Sequence, residues 1–267
     1  ANSDYAKEYG VHQGKYYVPQ RAAAGLDPWV TPQAYDNAKD FFDTGITWSN
    51  SLNVAQMLDK SSYSISLGNT HQDGIISSTG MDRYNVKVSA DTKLTNNWSS
   101  GFTANYITTS IDKAVTSGNG LLRTVYAAPP SYDLAGIPSH VDGNLYAQNS
   151  FRGSFDNAYW AMENNKFTED TNRFFGNVYA SYQTDFGTTN HKLNAKYMVG
   201  VDAYTTHYVD SYGYGSNTGG GRGQIENYGW TNATYNSLLT INYDWHINED
   251  WGLNAVVGNE IIQSNRK

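Results

Sequence analysis

Leu193-Asn194-Ala195-Lys196-Tyr197-Met198-Val199-Gly200-Val201-Asp202-Ala203 decides the fold class. Leu193, Ala195, Tyr197, Val199, Val201 and Ala203 fall on every second position, opposite Asn194, Lys196, Met198, Gly200 and Asp202. A period of two puts successive side chains on opposite faces of an extended chain, so this is a strand with one apolar and one largely polar face. It is also long. Globular strands usually stop at about five or six residues, whereas a tilted membrane-crossing strand needs about nine to eleven.

The same alternation recurs on both sides. Upstream it is carried by Leu52 and Val54, by Tyr63, Ile65 and Leu67, by Tyr84, Val86, Val88 and Ala90, by Phe102, Ala104 and Tyr106, and by Phe174, Val178, Ala180 and Tyr182. Downstream come Leu239, Ile241, Tyr243 and Trp245, then Trp251, Leu253, Ala255 and Val257. These make about eight strands. Short polar turns join them at Leu58 to Ser61, Thr95-Asn96-Asn97, Gly187 to Asn190 and Asn248-Glu249-Asp250. Long irregular segments alternate with these turns near Asn69 to Met81, Ile111 to Asn172 and Thr206 to Ala233. Short turns on one side and long loops on the other are the habit of outer-membrane barrels. Trp98, Trp245 and Trp251 flank the short turns, where an interfacial aromatic girdle would sit. The expectation is an all-β, antiparallel transmembrane barrel wall, with Leu193, Tyr197 and Val201 toward lipid and Lys196 and Asp202 toward a wet lumen. The competing reading is a soluble or surface-anchored β-sandwich that binds carbohydrate, its apolar stripes buried against a second sheet.

Residues 1–50 read differently. Tyr17-Val18-Pro19, Asp27-Pro28-Trp29 and Thr31-Pro32 predict loop with short helical turns, and Asp36 to Phe42 one helix. This stretch is expected to be an extracellular loop and lead-in segment, with residues 51–267 forming barrel wall and extracellular loops at about 111–172 and 206–233. Ala1-Asn2-Ser3-Asp4 lacks a basic region followed by an apolar one, so the expected start is mature or internal.

Composition narrows the function classes. The 267 residues include 22 Tyr and 7 Trp, too aromatic and too patterned for disorder. A formal net charge of −7 without any basic cluster gives a nucleic acid nothing to hold. With no Cys there are no disulfides, thiolate metal sites or Cys nucleophiles. His12, His71, His140, His191, His207 and His246 are not spaced to share a metal, and no G-x-S-x-G elbow occurs. Glu163, Glu169 and Asp170 cluster in the longest loop, but solvated loop acids are the ordinary explanation. Gly219-Gly220-Gly221-Arg222-Gly223 lacks the Lys-Ser/Thr ending of a phosphate loop and reads as a loop tip. Asp142-Gly143-Asn144 lacks the remaining positions of a calcium loop. No enzyme activity and no cofactor are expected.

The segment Tyr204 to Trp230 sets aromatic faces among carboxylates and amides. Tyr208, Asp210, Tyr212, Tyr214, Tyr228 and Trp230 are the candidate substrate-binding residues, with Asp202, Asn217 and Glu226 nearby. Flat rings stack on the C–H faces of sugars, and polar groups take their hydroxyls; peptide backbones are served almost as well. An equal claim is that several of these residues anchor the barrel rim or touch a partner.

Several strings carry a family resemblance: Asp40-Phe41-Phe42-Asp43-Thr44-Gly45 leading into Trp48-Ser49-Asn50-Ser51-Leu52-Asn53-Val54, then Ser62 to Gly68, His71 to Ile76, Asp82 to Val86, Asn157 to Asn165, and Asp170 to Gly176. From about Asp36 to Tyr204 the chain resembles SusC/RagA-type TonB-dependent transporters of the Bacteroidetes outer membrane. The resemblance implies a barrel of 22 strands closed by an N-terminal plug. It also implies import of oligosaccharides or oligopeptides, a SusD-type lipoprotein lid, and energy delivered through TonB. About eight strands are too few to close such a barrel, and neither a plug nor a TonB-contacting segment is recognised. The expectation is therefore an internal piece of a longer transporter. A free-standing eight-stranded barrel fits the count, but the loops are too large for it.

Overall fold

A computed structural model of the chain describes residues 11–115 and 120–267. The Ala1–Asp4 start, residues 116–119 of the longest connection and the side chain of His12 lie outside the described residues. Eight long strands dominate: β1 (Thr47–Met57), β2 (Ser61–Asp73), β3 (Gly80–Lys93), β4 (Trp98–Lys113), β5 (Lys166–Thr184), β6 (His191–Tyr212), β7 (Gln224–His246) and β8 (Gly252–Arg266). Each pairs antiparallel with its neighbour in sequence, giving one eight-stranded meander in chain order. β1 and β8 do not meet, so the sheet is open and each of them offers an unpaired edge.

Three expected loops shrink. The connection placed at Asn69 to Met81 is only 74–79, because Asn69 to Asp73 pair in register with Tyr84 back to Gly80. The longest connection is 114–165, since β4 runs to Lys113 and β5 begins at Lys166. The segment Thr206 to Ala233 is mostly strand: β6 and β7 pair through Tyr208↔Tyr228 and Asp210↔Glu226 as far as Tyr212↔Gln224, leaving 213–223 as the connection. In each case the extra strand length is mostly polar or aromatic, with isolated aliphatic residues such as Ile111, Val209 and Ile225, so the sustained apolar alternation that marks a strand in sequence is missing although the backbone ladder continues. β1 likewise starts at Thr47, inside the stretch expected to be lead-in segment.

Register turns the alternation into faces. Leu52, Leu67, Val86, Tyr106, Phe174, Ala203 and Ala233 are successive partners in one row across seven strands. Val54, Ile65, Val88, Ala104, Gly176, Val201 and Tyr235 form the row beside it on the same face. The opposite face carries Asn53, Ser66, Lys87, Asn105, Phe175, Asp202 and Thr234. Leu193 and Ala203 bound the apolar set of β6, ten residues apart. At a rise of about 3.3 Å that is roughly 33 Å of strand, or about 25 Å of height at a tilt near 40°, the height of a barrel's lipid-facing band. Among the described residues no second sheet covers this face; Val54 is 60% exposed and Val178 53%. Apolar surface of that extent in water is unfavourable, and it is what a sandwich would have buried.

Rings gather where the band ends near the short turns (58–60, 94–97, 185–190, 247–251). Trp98 lies 5.0 Å from Tyr182 between ring centres, and His191 stacks on Tyr243 and Trp245.

The compact hydrophobic core lies outside the sheet. Residues 11–46 and 120–165 fold together as a cap at the end opposite the short turns, with four short helices, α1 (Pro19–Ala23), α2 (Asn37–Phe41), α3 (Leu121–Ala127) and α4 (Ala158–Asn164). Val18, Phe41, Leu121, Val125, Leu134, Ile137 and Trp160 form its buried cluster. The helix expected at Asp36 to Phe42 is α2, with Asp36 as N-cap accepting from the Lys39 amide at 3.1 Å. Asn157 caps α4 by accepting from the amides of Tyr159 and Trp160. Asn37 stitches the halves: its side chain donates to Pro129 O at 3.3 Å and accepts from the Leu134 amide at 3.1 Å. The stretch expected to be lead-in loop is thus half of a folded unit. Asp142-Gly143-Asn144 is the turn of a small hairpin (His140–Val141 with Asn144–Gln148), Gly143 supplying φ +71°.

Trp160 is fully buried in the cap, so Trp160→Ala is expected to cost the cap about 3–5 kcal/mol. In the intact protein, limited proteolysis should cut faster within residues 120–165 while the sheet persists; an unchanged cleavage rate would show that the cap does not depend on this core.

Candidate functional site

Five of the six candidate residues share one face. In β6 the even positions Asp202, Tyr204, Thr206, Tyr208, Asp210 and Tyr212 point to the polar side, and register places Trp230, Tyr228, Glu226 and Gln224 of β7 beside Thr206, Tyr208, Asp210 and Tyr212. Tyr208 and Tyr228 stack at 5.0 Å and 12°, and Tyr208 meets Trp230 at 5.2 Å, making a three-ring ladder across two strands. Tyr212 packs edge-on against Phe167 of β5 at 5.0 Å. Tyr214 leaves the group: it lies in the 213–223 connection and meets Tyr146 edge-on at 5.7 Å.

Charges of both signs surround the ladder. The Lys113 ammonium sits 4.5 Å over the Tyr208 ring and 3.2 Å from a Glu169 carboxylate oxygen. Tyr228 donates its hydroxyl to Asp210 Oδ2 at 3.2 Å. The Arg266 guanidinium lies 4.8 Å from the Trp230 ring centre. Two rows nearer the apolar band, Arg173 forks onto Asp202 at 2.8 and 2.5 Å and lies over the Phe175 and Tyr204 rings.

Lys113, Glu169, Arg173 and Arg266 were not among the candidates. A period-two count along Phe167, Glu169, Thr171, Arg173 and Phe175 was the available signal, since these alternate on one face of β5. The same parity separates Glu169 from Asp170, which face opposite sides of the sheet, while Glu163 lies on α4. The acids that cluster in sequence therefore do not converge.

No family model and no curated protein matches the sequence. Among solved structures, the RagAB peptide importer in its closed-closed state has a chain 16% identical over 89% of this chain, at TM-score 0.69. The RagAB peptide transporter matches at 16% identity over 88%, TM-score 0.70, and the open-open importer at 14% over 100%, TM-score 0.71. The chain is similar in fold to part of a RagAB importer. It spans 27–31% of the length of those importer chains. The resemblance carried by the residues from Asp36 to Tyr204 therefore has a counterpart in three dimensions.

Above the ladder, the 213–223 connection is fastened to the cap by Asp156. Its carboxylate is buried and accepts from Gln148 Nε2 (2.7 Å), Ser216 Oγ (2.6 Å), Asn217 N (2.7 Å) and Asn217 Nδ2 (2.8 Å). Gln148 Nε2 also donates to Gly215 O at 2.8 Å. Gly215 has φ +104°, and a Cβ there would strike the Tyr146 carbonyl, so only glycine lets the two segments approach this closely. Gly220 and its neighbours, expected to be a loop tip, form a short 3₁₀ turn at Thr218–Gly221.

Asp156→Ala strands the buried Ser216 hydroxyl, at about 1–3 kcal/mol, and leaves the donors of exposed Asn217 to water. Hydrogen exchange at Asn217 and Thr218 is expected to accelerate while the β6–β7 amides stay protected; unchanged exchange in the loop would remove Asp156 from this role.

Proposed function

We propose that the chain is one stretch of the wall of an outer-membrane nutrient importer of the SusC/RagA type. In that reading the apolar rows face lipid, the polar face lines the lumen, and the open edges at β1 and β8 continue into other strands of a plugged barrel of about 22 strands. The cap and the 213–223 connection lie on the extracellular side, where a SusD-type lipoprotein closes over the substrate, and TonB supplies the energy from the other side of the membrane. Movement of a solute, with no bond broken, is the activity; the chains of similar fold are transporters.

The observation that carries this is the division of one open sheet into an apolar face of barrel-band height and a polar face bearing the ladder of Tyr208, Tyr228 and Trp230. The substrate class it favours is an oligopeptide, the cargo of the importers of similar fold, over an oligosaccharide. Stacked rings serve both, but the ladder is interleaved with Lys113, Glu169, Asp210 and Arg266, which suits a chain with charged groups of its own.

Spin labels at Tyr197 and Lys196 in the intact protein, reconstituted in lipid, test the facing. Dissolved oxygen is expected to relax the label at 197 and a water-soluble nickel complex the label at 196; water access at both would sink the barrel reading. In the same preparation, Tyr228→Ala is expected to weaken binding of the imported substrate about tenfold, as for a central aromatic contact, measured by calorimetry; unchanged affinity would move the binding site elsewhere on the wall.

A further inference from the structure

Asp210 and Glu226 are register partners on β6 and β7, so their Cβ atoms stand about 5 Å apart on the polar face. Like charges set directly opposite destabilise a sheet. Here nothing neutralises them: among the described residues neither carboxylate has an ion-pair partner, and each takes one neutral donor, the Tyr228 hydroxyl on Asp210 and the Gln224 amide on Glu226. The next row along the strands begins the aromatic ladder. That ladder already holds two of the protein's own cations, the Lys113 ammonium on Tyr208 and the Arg266 guanidinium on Trp230. Tyr228 is the end ring of the ladder on the side of the carboxylate pair, stacked on Tyr208. It is 43% exposed, carries no such cation among the described residues, and is the ring whose hydroxyl reaches the carboxylate pair.

We propose that Tyr228, Asp210 and Glu226 form a subsite for an organic cation, the alkylammonium or guanidinium group of the imported substrate. The assignment rests on the import function proposed above and specifies which substrates its site prefers. A guanidinium is flat enough to lie on a phenol ring and has N–H groups to fork onto carboxylates, and an ammonium serves the same two partners as a point charge. Either would relieve the repulsion between Asp210 and Glu226. A neutral sugar would leave that repulsion in place. A divalent metal would want six or more oxygen ligands, and among the described residues no third His, Asp or Glu joins these two.

The test uses the intact transporter purified in detergent and isothermal calorimetry with four pentapeptides, Ala-Ala-Xaa-Ala-Ala, where Xaa is Arg, Lys, norleucine or Glu. The Arg and Lys peptides are expected to bind at least about tenfold more tightly than the norleucine peptide, the scale of a charge-assisted hydrogen bond, and the Glu peptide to bind most weakly. In the Asp210→Asn, Glu226→Gln double variant the Arg-to-norleucine ratio should fall toward one, with thermal stability unchanged or raised because the like-charge pair is gone. Glu226→Gln alone, at an exposed position, should lower the ratio part of the way and serves if the double variant misfolds. Equal affinity for all four peptides overturns the subsite and leaves the import function standing. Absence of binding by any of them overturns peptide import and the subsite with it. Calcium chloride that binds the wild type and not the double variant would make this a metal site and overturn the organic-cation assignment.

Discussion

Backbone pairing is the constraint on which the sheet depends, and in the proposed barrel wall it is strict, because hydrocarbon offers a peptide group no hydrogen-bond partner. A chain that crosses lipid as strands must pair every interior strand on both sides; β2 to β6 are paired in this way over nearly their whole length, and β7 over residues 232–246. Pairing fixes the register, and register fixes the faces, because a slip of one residue would exchange lipid-facing and water-facing rows in every strand at once. The same constraint makes the two outermost strands incomplete by themselves. Every residue of β1 and β8 is exposed, and their free edges would be untenable in a bilayer without further strands beside them.

An open sheet with one apolar and one polar face and no second sheet packed on it has no interior, and the distribution of buried side chains among the described residues follows. Among the described residues, every buried apolar side chain but one belongs to the cap or the 114–165 connection; the exception, Phe167, lies where β5 leaves that connection. A core so small buries little surface for each residue it orders. Its stability therefore leans on polar stitching between distant segments: Asn37 to the 129–134 stretch, Asn149 to Gln20 and Pro138, and Asp156 to Ser216 and Asn217. The last of these ties the cap to the connection above the ladder, so the order of that connection depends on the cap's.

Strand identity, strand order and the apolar face were legible in the sequence because one face of the sheet carries apolar side chains at alternate positions. Leu193 to Ala203 announces itself for that reason. Beyond Ala203 that pattern stops: Thr205 and His207 replace apolar residues on the same face, and the strand continues unmarked to Tyr212. The five candidate residues that converge were found by composition, as rings among carboxylates, while the reason they converge, strand parity, was hidden by reading the segment as loop. Tyr214 satisfied the composition and failed the geometry. Lys113 and Arg266 were invisible because they come from other strands, and Glu169 was read only as a solvated loop acid; register alone brings the three to the ladder. The cap was least legible, since its core joins residues separated by about a hundred positions and its helices are too short to show a period.

The level at which the outward face turns polar also locates the site. The row Phe174, Ala203, Ala233 is the last apolar one on these strands; the next two are Asn172, Thr205, Thr231 and Asp170, His207, Gly229. Tyr208, Tyr228 and Trp230 stand at that polar level on the opposite face. The proposed recognition surface thus lies beyond the apolar band but on the same continuous strands, β6 and β7, that carry it. A ladder built on paired strands holds its rings in fixed register, whereas rings on a free loop must be ordered by the ligand at a cost in affinity. In the proposed importer the long strands therefore do two jobs, crossing the membrane below and holding the ring ladder in register above, and the 213–223 connection at their tip is held to the cap by Asp156.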